Sequence, residues 1–292
     1  MDERAALALI GDRLPAAGDD AAVVDGTVVT TDMLHETTDF PDGTTRYTAG
    51  WRAVGASLSD VAAMGARATA AVAVYGAPSF DPDDLTAFLD GASDVCERVD
   101  AEYVGGDLDG HGEFTVATTA LGDATAPVRR SGAAPGEAVC VTGTFGRSGV
   151  AVRLFEAGAA ERANELFRFE PRVAAGQALA PHATSMMDSS DGLARSLHQL
   201  AAASDCGFAI EADRVPVDER VAAVSDDPAD ARELGFFFGE DFELVFTVPE
   251  SALDAAAEAT DVAVQRIGTV TDGGVTMDGD PLPDRGYTHG GP

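Results

Sequence analysis

The stretch with the least freedom is Arg46 to Ala66, "RYTAGWRAVGASLSDVAAMGA". Projected at roughly 100° per residue, Trp51, Val54, Leu58 and Val61 fall on one stripe, the pattern of a helix with a core face. Asp60 falls nearly opposite. Its neighbours there are Ala49, Ala53, Ala56 and Ala63, whereas a solvent face in a chain with 24% charged residues should carry several charges. Something therefore packs close to the alanines and leaves room for one carboxylate to meet a ligand or a metal. The competing reading is that Asp60 is one more surface acid.

Acids are abundant enough to make that competition real. The chain has 50 Asp plus Glu against 19 basic residues, every one of them Arg, for a formal charge of −31. A lysine-free, acid-loaded surface resembles proteins of salt-in halophiles, where concentrated cations screen self-repulsion. It excludes nucleic acid as a partner, because phosphate backbones need a basic footprint. Cys96, Cys140 and Cys206 stand too far apart for a C-x-x-C metal site or a disulfide framework and read as buried thiols of a reducing cytoplasm. The N-terminal run reaches a proline after a short apolar stretch, and no later run has the length of a membrane span, so a cytoplasmic protein without a membrane partner is expected.

Strand and helix periods alternate along the chain. "AAVV", "TVVTTD", "TAAVAVYGAP", "AEYVGGD" and "EFTVATTALGD" read as strands, with a short helix at the start, the Asp60 helix, and a helix opened by Asp-Pro at "DPDDL". The Pro- and Gly-rich "ATAPVRRSGAAPGEAV" marks a boundary between residues 1–126 and 127–292. Beyond it come a strand and Gly turn at "AVCVTGTFGRSG", helices near 149 to 180, a strand, turn and helix at "SMMDSSDGLARSLHQLAAAS", and strands at "FAIEA" and "FELVFTV". The expected class is α/β (α+β) in two domains.

Several acids sit where these strands end. Asp19 and Asp20 precede the first strand, Asp32 ends "VVTTD", Asp107 follows two glycines, and Asp188 and Asp191 occupy "MMDSSDGL". Carboxylates at apolar strand ends, beside Ser, Thr and Gly, converge on the rim of a sheet, where ligands bind in such folds. Several in one cleft cannot all ionise without cations. Oxygen ligands without His or Cys specify Mg²⁺, with Ca²⁺ or Mn²⁺ as alternatives, and several Mg²⁺ ions together point to phosphoryl transfer. A Walker A loop and a protein-kinase fold both need a Lys that is absent. Arg130 in "RRSGAAPGE" is then the best cation for phosphate.

The ordered segments "GDDAAVV", "TTDML", "GWRAVGASLSDVAAMGA", "VGGD", "RRSGAAPGE", "MMDSSDGLARSL" and "GEDFELVFT" together resemble the thiamine-monophosphate kinase family of the aminoimidazole-ribonucleotide-synthetase-like superfamily, from a halophilic archaeon. The resemblance implies a two-domain fold, with an N-terminal ATP-, Mg²⁺-binding and dimerisation domain whose sheet pairs into a barrel in a homodimer, and a C-terminal α/β domain. It implies direct in-line transfer of the γ-phosphoryl group of ATP to thiamine monophosphate. By position it assigns Asp20, Thr30, Thr31, Asp32, Asp60, Asp107, Asp188 and Asp191 to Mg²⁺. Gly106, Asp107, Arg130 and Ser190 go to ATP, with Asp60, Asp107 and Arg130 as the catalytic groups, and Glu240 and Tyr287 go to the substrate. Two departures stand out: Asp39 replaces a substrate-contacting His, and Leu89 replaces a Tyr beside the nucleotide. The alternatives are another enzyme of the superfamily with a different small substrate, and a non-catalytic acidic metal-binding protein. Superfamily members that depend on a terminal Cys are disfavoured by the internal cysteines.

Overall fold

The computed structural model describes residues 9–287, apart from 12 and 15. The helix expected at the N-terminus falls largely outside them. A five-stranded sheet comes first, from β1 (Ala22–Val24), β2 (Thr27–His35), β3 (Arg67–Ala77), β4 (Glu102–Gly110) and β5 (Thr115–Asp123), in the order β1-β2-β5-β3-β4. All its pairings are antiparallel except β3 with β4. Alternation along β2 buries Val28 and Thr30 and exposes Thr31 and Met33. One face is thus core and the other open.

Helices α1 (Arg46–Ala63) and α2 (Pro82–Arg98) cover the core face. Asp81 starts α2 by accepting from the amides of Asp83 and Asp84, the cap that its Asp-Pro opening announces. The alanine face of α1 is covered as well. The second domain lays α5 (Val173–Leu179) and β7 (Ser185–Asp188) against it. The approach is close enough that a Cβ on Gly176 would lie 2.1 Å from the carbonyl oxygen of Ala62. With packing on both sides α1 has almost no solvent face, and of its stripe only Trp51 is half-buried, its indole donating to the Phe169 carbonyl at 2.5 Å.

The second sheet has seven strands in the order β12-β11-β8-β10-β6-β9-β7. Four of them match expected segments: β6 (Ala138–Thr142), β7, β8 (Gly207–Ile210) and β9 (Leu244–Val248). The sequence reading passed over β10 (Val264–Thr271), β11 (Gly274–Met277) and β12 (Asp280–Pro281). A register shift between Arg266 and Gly268 breaks the period of β10, and the other two are too short to show one. Helices α3 (Arg147–Glu156), α4 (Ala160–Phe167), α6 (Leu193–Ser204) and α7 (Pro228–Phe236) complete the domain. Among the described residues no helix is long and apolar enough to cross a membrane.

Candidate active site

Asp60 leaves α1 toward β2 and the start of the second domain. It meets Asp20, from the turn before β1, and Asp188, at the end of β7, with one carboxylate oxygen of each within 4.8 Å of the others. Thr30 donates its hydroxyl to Asp60 Oδ2 at 2.5 Å, and Ser59 donates to Asp188 Oδ2 at 2.6 Å. Burial, then the charges of Asp188 and Asp20, raise the Asp60 carboxyl well above its ordinary range. Burial and Asp20 push Asp188 up to about 7 against the pull of Ser59 and Arg130. Three acids facing one another without His or Cys, Asp188 buried and the other two half-buried, form the donor set of a hard dication such as Mg²⁺, which would relieve both desolvation and repulsion.

The cluster is held from two directions. Arg130 donates to Asp20 through Nη2 at 2.8 Å and Nε at 3.2 Å, and beside it Arg129 pairs with Asp19 at 2.5 Å. These two pairs clip the interdomain segment onto the turn before β1. Burial pulls the Arg130 pKa down, but Asp20, Asp188 and Asp60 outweigh it and leave the guanidinium firmly charged. On the other side the turn after β7 is bonded to the "GEDFE" segment, with the Glu240 amide donating to the Ser190 carbonyl at 2.6 Å and the Phe242 amide to Ser189 at 3.0 Å. Glu240 and Phe242 both hold positive φ, 63° and 54°, a conformation these side chains adopt only under such constraint.

Two connected chambers open from this junction. The smaller, about 190 Å³, is lined by Asp20, Thr30, Asp32, Asp60, Ser190 and Asp191. The larger, about 940 Å³, has aromatic walls of Phe40, Phe155, Phe167, Phe237 and Phe238 studded with Glu36, Asp42 and Glu156. Asp39, Glu240 and Tyr287 line both, so they stand at the passage between them. Burial, then Asp39 and Glu240, raise the Tyr287 phenol. Asp39 is tied locally, its Oδ2 accepting from the His35 amide and the Thr38 hydroxyl, each at 2.7 Å.

Sequence models of the AIR synthase related protein N-terminal domain and C-terminal domain match residues 18–124 and 134–279. The chain is 63% identical over 291 residues to thiamine-monophosphate kinase of Halobacterium salinarum, covering 99% of this chain and all of that one. The chain belongs to the thiamine-monophosphate kinase family. Its fold matches thiamine-monophosphate kinase of Stenotrophomonas maltophilia with a TM-score of 0.82 at 33% identity, over 95% of each chain. It also matches the structure described as AaThiL complexed with AMPPCP and TMP, with a TM-score of 0.88 at 26% identity, over 99% of this chain and 97% of that one.

For a chain of the thiamine-monophosphate kinase family, the positions singled out in the sequence divide in space. Asp20, Thr30, Asp32, Asp60, Asp188, Ser190 and Asp191 gather around the small chamber, with Arg130 bonded to Asp20 beside them. Gly106 and Asp107 do not join the cluster, whereas Thr31 lines the small chamber beside Thr30 and Asp32. Thr31 turns to the open face of the sheet, where its hydroxyl donates to the Thr118 carbonyl at 2.8 Å. Asp107 lies on β4, separated from β2 by β5 and β3, in a row with Met33, Ala117 and Val74 on that same open face. Gly106 has a packing reason of its own, since a Cβ there would stand 1.7 Å from the Ala73 carbonyl oxygen. Leu89 is an exposed residue of α2 that lines neither chamber.

Arg52 was missed in the sequence. It is 2% exposed, its guanidinium stacks 3.6 Å from the centre of the Phe167 ring, and it pairs with Glu240. Burial lowers its pKa, and Glu240 and Asp241 oppose that shift. The signal was present: Arg52, Ala56 and Asp60 follow one another at four-residue steps on one side of α1. That side runs from the passage between the chambers, past Ala56 in the wall of the small chamber, to the acid cluster.

Proposed function

We propose that the protein transfers the γ-phosphoryl group of ATP, with Mg²⁺, directly to the phosphate of thiamine monophosphate, yielding ADP and thiamine diphosphate. The observation that carries this reading is the pairing of an acid-lined polar chamber with an aromatic, acid-studded one through Asp39, Glu240 and Tyr287. Thiamine monophosphate has the same two-part character, a phosphate attached to a cationic thiazolium and a pyrimidine. Aromatic faces and carboxylates favour a cationic ring, whereas the small chamber can accept phosphates only with cations bound. The structure described as AaThiL complexed with AMPPCP and TMP supports the same reading.

In this reading Asp20, Asp60 and Asp188 hold Mg²⁺, with Asp32 and Asp191 at the same wall. Bound there, Mg²⁺ supplies charge neutralisation between the phosphates of donor and acceptor. Arg130 faces the phosphates from the domain junction. A terminal oxygen of thiamine monophosphate attacks the γ-phosphorus, the bond to the bridging oxygen of ADP breaks, and no phosphorylated side chain intervenes. Arg52 holds Glu240, and Glu240 with Asp39 and Tyr287 holds the cationic end of the substrate at the passage. Residues 1–126 carry most of the metal site, and residues 127–292 close it through Asp188, Ser190 and Asp191.

Dimerisation belongs to the same proposal. The open face of the first sheet leaves Met33 51% and Val74 43% exposed, with Val104 57% exposed on β4, an apolar patch that a second copy would cover. Gly106 and Asp107 would act at that interface, which accounts for their distance from the cluster within one chain. The free state of the three cysteines fits a reducing cytoplasm, where ATP is at hand. Incubation with ATP and Mg²⁺ tests the reading: thiamine diphosphate and ADP should form in equal amounts with thiamine monophosphate present. ADP formation that is indifferent to thiamine monophosphate would refute it.

A further inference from the structure

A second cleft, of about 280 Å³, lies on the C-terminal domain between α3, α4 and the one-turn helix Val221–Val224. Its wall carries Arg147, Arg162 and Arg220 over an apolar floor of Val150 and Leu154, with Glu165 as its one acid. The chain holds 50 acids against 19 arginines, so three arginines around one small cleft reverse the charge of the rest of the surface. Their other bonds do not neutralise the group. Arg220 is matched by Asp218 at 2.5 and 2.7 Å, but Arg147 spends Nε and Nη2 on the carbonyls of Leu166 and Arg168, each at 2.9 Å, which carry no charge. Arg162 makes no hydrogen bond or ion pair with any described residue. Burial, then the charges of Arg220 and Arg172, pull the Arg147 pKa down, against Glu243 and Asp218.

We propose that this cleft binds a compact oxyanion, a phosphate group either free or carried on a small ester. Guanidinium forks match the geometry of phosphate oxygens, and a charge-assisted pair formed against an apolar floor is screened less by salt than one in open solvent. The volume lies just below the usual range of ligand pockets, roughly 300–1,000 Å³, which selects a phosphate or small ester over a nucleotide. Glu165 limits the net attraction and would accept from a protonated phosphate oxygen or an ester hydroxyl.

Arg162 is the residue to test, because it is exposed and partnerless, and its replacement should leave the fold intact. Inorganic phosphate would be titrated calorimetrically into the full-length protein in molar KCl without Mg²⁺, with glycerol 3-phosphate in a parallel arm. One anion per chain is expected, with affinity falling roughly tenfold in Arg162→Gln and staying unchanged in Arg130→Gln. Tighter binding of the ester or of the free ion would each support the site and tell which source fills it. No binding, equal affinity in Arg162→Gln, or a loss confined to Arg130→Gln, which would put the anion in the acid-lined chamber, would overturn the proposal.

Discussion

Replacing Asp60 by Asn should make the metal-free protein more stable and the enzyme inactive. The carboxylate oxygens of Asp20, Asp60 and Asp188 lie within 4.8 Å of one another. Two full charges at that separation repel by about 3.5 kcal/mol at an effective dielectric constant near 20. Asp60 and Asp188 are both raised, Asp188 to about 7, so at neutral pH neither carries its full charge, and Arg130 offsets part of the field from Asp20. A gain of about 1–2 kcal/mol remains, or roughly 2–5 °C in Tm for a chain of this size. Asn keeps an oxygen to accept from Thr30, so the hydrogen bond at 2.5 Å need not be lost. Thermal melts in metal-free molar KCl, repeated with Mg²⁺, would read both halves: the variant should melt above the parent without metal and gain less from Mg²⁺. Turnover at saturating Mg²⁺ should fall by about two orders of magnitude or more. A variant that melts below the parent without metal would show that Asp60 is a structural hydrogen-bond hub. Near-parental turnover would remove it from the site.

Asp39→Ala should raise KM for thiamine monophosphate with little change in kcat, since Asp39 stands at the passage with Glu240 and Tyr287 and not in the acid triad; steady-state kinetics with thiamine monophosphate varied decide it, and a fall in kcat alone would place Asp39 among the groups that align the phosphates. Without metal, stability should decline as pH rises from about 4 toward 7. Asp188 and Asp241 are pushed to about 7 in the folded chain, chiefly by burial, so across that window the folded state binds more protons than the unfolded one. Chemical denaturation across pH would show the slope, and Asp241→Asn, which removes the titrating group and keeps one oxygen to accept from one of the two amides that Asp241 now serves, those of Gly146 and Ser148, should flatten it. At a formal charge of −31 the protein should melt lower in dilute buffer than in molar KCl, because the screening length grows from roughly 3 to 30 Å between 1 M and 0.01 M salt; equal melting points would contradict this.

Local order was written in the residues. The β-branched runs that became β2, β3 and β5, the Asp-Pro start of α2 and the apolar stripe of α1 obey periods and caps that depend only on near neighbours. The same holds for Asp60, whose alanine surroundings signalled a second packed surface before any partner was known. Tertiary structure decided which acids meet. Asp20, Asp60 and Asp188 come from a turn, a helix and a strand of two domains and touch only because the second domain closes over α1, a long-range event that leaves no spacing in the chain. It also parted Asp107 from Asp32, because strand order and side-chain alternation put them at separate positions on opposite faces of one sheet. Arg52 became legible only once Glu240 was beside it: a charge inside a helix is costly unless a partner arrives from elsewhere, and that partner lies 188 residues further along the chain.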